Sequence, residues 1–180
     1  MKNQNTKKLA YAALFLALCL VLPMLTGQIP QIGSMLLPMH IPVLLCGLVC
    51  GWQYGAAVGF VAPLLRSVLF GMPPMYPVAI AMAFELLTYG LAIGLVYRRM
   101  AQKGAAGVYA ALLTAMVAGR LVWGVAEVVL LGLGGKAFTA QAFLAGALLN
   151  AVPGIIVQLV LIPAVMAALQ KAGAVKEYAE

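Results

Sequence analysis

Aspartate is absent from the 180 residues, histidine occurs once, and the four acidic residues are all glutamate. Without aspartate there is no Ser-His-Asp triad and no paired-aspartate intramembrane protease. Charge of either sign is scarce: 8% of the chain is charged and 65% is hydrophobic, against about 25% and 45–50% in a soluble domain. Such a chain cannot cover a core with polar surface, so it reads as an integral membrane protein. No GxxxxGK[ST] loop occurs, so the chain carries no P-loop ATPase of its own. No arginine repeat occurs, which excludes a voltage sensor. The three cysteines, Cys19, Cys46 and Cys50, all lie in apolar runs, and no disulfide framework is visible.

What is present is long apolar sequence that does not alternate, which favours helices over a barrel. The reading is an all-α membrane protein, one six-helix bundle over residues 1–180, with spans near 8–25, 38–50, 56–70, 78–97, 105–131 and 139–169. Lys2, Lys7 and Lys8 before the first run look like a signal peptide, but no small-x-small cleavage site follows, so the run reads as a retained span. Residues 26–37 form a loop broken by Gly27, Pro30 and Gly33. Residues 51–55 (GWQYG) read as a tight turn with interfacial aromatics. Gly47, Gly51, Gly55 and Gly59 recur every four residues, and Gly90 and Gly94 repeat the spacing, for close helix contact or for turns. Residues 71–77 (GMPPMYP) read as a rigid loop. The last run is too long for one straight helix, and Pro153 and Pro163 are its expected breaks.

Basic residues set the orientation. Lys2, Lys7, Lys8, Arg98, Arg99, Lys103, Lys171 and Lys176 fall on the side holding both termini, and only Lys136 on the other. The positive-inside rule then puts both termini in the cytoplasm. This placement explains the net charge of +7 without nucleic acid.

Ionisable groups at membrane depth are costly and face a partner or a cavity. Here they are Arg66, Glu85, Arg120 and Glu127, with His40 at a helix start and Asn150 and Gln158 as polar groups in the last run. Arg120 and Glu127 share a helix face but stand roughly 10 Å apart along it. Each is expected to meet another helix, at Glu85 or Asn150. Most of these groups converge on the outer half of the bundle, as a site for a small polar solute would require. A metal site of His40, Cys46 and Cys50 fails, because His40 stands about 9 Å from Cys46 along a helix and no fourth ligand exists.

In size, topology and the segment 37–74 (LPMHIPVLLCGLVCGWQYGAAVGFVAPLLRSVLFGMPP), the chain resembles the substrate-binding subunits (S components) of energy-coupling factor transporters, which import vitamins and related micronutrients. The resemblance implies a high-affinity site near the outer face of a prokaryotic plasma-membrane protein. It implies no enzymatic activity and no directly bound cofactor. Its partners would be a membrane coupling subunit and two ATPases that hydrolyse ATP. Ala13 and Ala17 match the family's alanine docking motif, and residues 26–37 match its lid. Glu85 can accept two hydrogen bonds from a heterocycle such as a queuosine precursor or a pterin. Arg66 or Arg120 can hold a carboxylate, which keeps pantothenate open. Tyr89 and Trp123 can stack on a ring. The expected site is therefore His40, Arg66, Glu85, Tyr89, Arg120, Trp123, Glu127 and Asn150, with no metal. A self-sufficient proton-coupled carrier is the competing reading, although no internal repeat supports it.

Overall fold

The computed structural model describes residues 2–25, 35–100, 104–135, 137–146, 150–173 and 175. Seven α-helices lie wholly within the described residues: α1 (Lys2–Leu25), α2 (His40–Cys50), α3 (Trp52–Phe70), α4 (Ile80–Met100), α5 (Ala105–Leu133), α6 (Ala140–Leu144) and α7 (Val152–Lys171). A kinked turn, Met75–Ala79, with Tyr76 in an extended conformation (φ −115°, ψ 133°), leads into α4. Among the described residues, five helices are long and apolar enough to cross a membrane. The proposed lid falls mostly on residues 26–34, outside the described residues.

Burial runs opposite to that of a soluble protein. Leu113, Val117, Leu121 and Val125 of α5 and Ile156 and Val160 of α7 face outward, while His40, Arg66, Glu85, Glu127 and Gln158 are buried. An apolar exterior with ionisable groups inside is what a lipid solvent requires.

The short helix α2 is the axis of the bundle. It has 11 residues, about 16 Å of rise, which is too short to cross the hydrocarbon core alone. It need not face lipid: α1, α3, α4 and α7 pack around it, and nine of its residues are buried. α2 and α3 are joined by Gly51 alone, at φ 98° and ψ 167°, a conformation open to glycine. The expected turn over 51–55 therefore shrinks to one residue. Trp52 to Gly55 already form the first turn of α3.

The glycine series divides as the geometry demands. Gly51 makes the turn, and Gly47, Gly55 and Gly59 face α4. A Cβ on Gly55 would stand 2.7 Å from the Gly47 Cα and 2.8 Å from the Gly90 carbonyl oxygen. One on Gly94 would stand 2.5 Å from the Trp52 nitrogen, and one on Gly59 would run into the Leu86 carbonyl. These helices touch backbone to backbone, as small residues permit in a membrane. Gly59→Ala is expected to lower stability by about 1–3 kcal/mol through overpacking. A thermal midpoint in detergent measures it. Gly132→Ala, where a Cβ meets nothing, is the control.

The last run divides near its first proline. The short helix α6 ends at Leu144, and α7 starts at Val152 with Pro153 in its first turn, where a missing N–H costs nothing. Pro163 lies inside α7. That helix buries Gly154, Gln158, Ile162 and Met166, one residue every four, toward α2 and α5.

Candidate functional site

Chain direction puts the start of α2, the end of α3, the start of α4, the end of α5 and the start of α7 at one end of the bundle. The buried polar groups collect there. Glu85 lies in the second turn of α4, on the face that also buries Ala81 and Tyr89. Its Oε1 meets Arg120 Nη1 of α5 at 2.9 Å and His40 Nε2 of α2 at 3.2 Å. One carboxylate oxygen thus ties three helices together. Tyr89, one turn further along α4, sets its ring against His40 edge to face, with centroids 4.9 Å apart. It reaches α5 because residue 119 is glycine: a Cβ there would clash with the Tyr89 ring carbons Cδ2 and Cε2.

Arg120 faces two ways. Nη1 goes to Glu85, and the guanidinium lies 5.9 Å from the Trp123 ring centroid. Its Nε and Nη2 are buried without a hydrogen-bond partner. Those two N–H groups form the parallel fork that guanidinium offers to a pair of acceptors. His40 Nδ1 and both amide atoms of Gln158 are likewise buried and unpartnered. Buried polar atoms are normally satisfied, so such a group of orphans points to something that completes them.

Trp123 continues the site toward the end of α5. It packs edge to face with Phe138 at 5.7 Å and stacks on Phe143 at 6.1 Å. Glu127 follows one turn later and is buried, and no cation lies within ion-pair distance of it among the described residues. Beyond the aromatics, Leu121, Val125, Val128 and Val129 border an almost wholly apolar groove. It suits hydrocarbon, not a polar solute.

The structure thus brings together His40, Glu85, Tyr89, Arg120 and Trp123, with Glu127 adjoining. It does not bring in Arg66 or Asn150. Arg66 Nη1 donates to the Leu20 carbonyl of α1 at 2.7 Å, and its guanidinium lies 5.3 Å from the Phe70 ring. Arg66 fastens α1 to α3. Asn150 is exposed in the turn before α7. Gln158, the other amide of that run, is buried inside α7. Phe138 and Phe143, which back Trp123, gave no sequence signal beyond being aromatic.

Among the described residues, no three His, Cys, Asp or Glu side chains are grouped to hold a metal ion. Ala13 and Ala17 are exposed on α1, beside exposed Leu9, Leu14 and Val21. A family model described as "ECF transporter, substrate-specific component" matches residues 7–167. No curated protein and no solved structure matches the chain.

Proposed function

The chain belongs to the family of ECF transporter substrate-specific components, and from that premise we propose that it is the high-affinity binding subunit of an ATP-driven importer for a vitamin or related small micronutrient. The observation that carries the reading is the buried cluster around Glu85, with unpartnered nitrogens on Arg120 and His40. An inert scaffold has no use for such a set, since each unmade hydrogen bond costs about 1–3 kcal/mol. A solute that fills them gains that energy on binding. The solute is a heterocycle such as a queuosine precursor or a pterin, or alternatively a carboxylate vitamin such as pantothenate.

Six segments cross the plasma membrane of a prokaryote, with α2 as the short inner crossing and both termini in the cytoplasm. The basic residues on the terminal side support this orientation. The binding cluster then opens outward. A membrane coupling subunit and two ATPases supply the energy, and the chain itself hydrolyses nothing. Ala13 and Ala17 form the docking face. Their exposure and the apolar neighbours on α1 support that role.

Native mass spectrometry of the purified chain tests the reading. A stoichiometric small molecule supports it, and uptake by proteoliposomes holding this chain alone would replace it with a proton-coupled carrier. Ala13→Leu and Ala17→Leu are expected to leave solute affinity within twofold while abolishing uptake by the assembled transporter. Loss of binding in a complex that still assembles would contradict the docking role.

A further inference from the structure

Resting on the reading above, we infer that the solute is a flat, uncharged heterocycle held edge-on between Arg120 and Glu127, with an acceptor pair toward Arg120 and an amino-lactam donor edge toward Glu127. Glu85 does not touch the solute. It positions Arg120.

Three observations lead here. First, Glu85 is already engaged. One of its oxygens holds both Arg120 and His40. A ligand that took that oxygen would have to displace a buried ion pair. Second, Arg120 leaves its Nε and Nη2 edge free, and that edge recognises two acceptors side by side. The same fork reads the adjacent acceptors of guanine in nucleic acids. Third, Arg120, Trp123 and Glu127 follow one another at spacings of three and four, on one face of α5. Trp123 lies by the guanidinium, and Glu127 is buried one turn further with no cation beside it among the described residues.

The charge balance selects between the two solute classes. Two carboxyl groups, Glu85 and Glu127, already stand with the one guanidinium of this cluster. A carboxylate ligand would add a third acid group to an enclosed site, where uncompensated charge costs several kcal/mol. A neutral ring with a donor edge adds none and offers Glu127 hydrogen-bond donors. Along α5, Arg120 and Glu127 stand about 10 Å of helix rise apart, with Trp123 in the turn between them. The indole between them supplies a flat wall for stacking.

The test uses the full chain in detergent and three probes: pterin (2-amino-4-oxopteridine), lumazine, in which an oxygen replaces the 2-amino group, and pantothenate. Pterin is expected to bind at least tenfold more tightly than lumazine, and pantothenate not to bind. Glu127→Gln, whose amide can donate to the 2-oxygen, is expected to shrink the pterin-to-lumazine ratio at least tenfold. A merely structural Glu127 would weaken both probes equally. The wild-type ratio needs no variant, so it decides the matter even if Glu127→Gln misfolds. Equal binding of the two pteridines, an unchanged ratio in the variant, or no binding of pterin overturns the inference. Tight binding of pantothenate also overturns it, yet leaves the binding-subunit reading intact. If no probe binds and no small molecule co-purifies, both fall.

Discussion

Glu85→Gln is expected to reduce solute affinity at least a hundredfold and to lower stability by about 3–5 kcal/mol, the usual cost of removing one member of a buried ion pair. The loss arises on Arg120. The Arg120 side chain is only 12% exposed, and its contact with Glu85 is the one ion pair it makes among the described residues. A neutral amide cannot compensate it, and a freed Arg120 no longer presents its fork in a fixed direction. His40 loses its Nε2 partner in the same step. The double variant Glu85→Gln/Arg120→Gln separates folding from binding. With both charges gone, stability is expected to recover by about 2 kcal/mol or more, because charge-free replacements of buried pairs are often near neutral. Affinity is expected to stay lost, because the fork is gone. Thermal midpoints and ligand titrations on the four proteins of the cycle measure both. Recovery of binding in the double variant would show that the pair serves the fold alone.

That a polar centre exists at one end of the bundle was legible in the sequence. Four ionisable groups in apolar runs, with the hydrophobic boundaries, already fix their depth. The pairing of Arg120 with another helix was also legible, since Glu127 lies too far along the same face to reach it. Which arginine meets Glu85 was not. Arg66 and Arg120 have similar apolar neighbours, and the choice depends on which helix each long side chain reaches. Arg66 stands seven residues after Gly59, on the α3 face that carries the glycines. From there its Nη1 reaches the Leu20 carbonyl of α1.

Asn150 and Gln158 show a second limit. Both are amides in one apolar run, but the break before Pro153 leaves Asn150 in a turn and Gln158 inside α7. The proline predicted a break without saying which side of it would be buried. At 51–55 the reverse occurred. Two glycines and two aromatics look like a loop, yet only Gly51 adopts a backbone that helix cannot use. Gly55 is there for contact with Gly47 and the Gly90 carbonyl.

The same logic gives glycine 119 an effect out of proportion to one methyl group. Gly119→Ala is expected to lower stability by about 1–3 kcal/mol and to weaken binding at least tenfold, although residue 119 is not one of the groups assigned to hold the solute. The added Cβ would occupy the space of the Tyr89 ring. Tyr89 is 1% exposed, so it has no free volume to enter and must displace a neighbour. Its nearest aromatic neighbour is His40, which shares an oxygen of Glu85 with Arg120. A shift of the ring therefore reaches all three ends of the ion cluster, and the residue next to glycine 119 is Arg120 itself. Tyr89→Leu in the Gly119→Ala background provides the check. The smaller side chain removes the clash, so stability is expected to rise above that of the single variant, and affinity with it. If Gly119→Ala leaves affinity unchanged while stability falls, Tyr89 is packing alone and has no part in aligning His40 and Arg120.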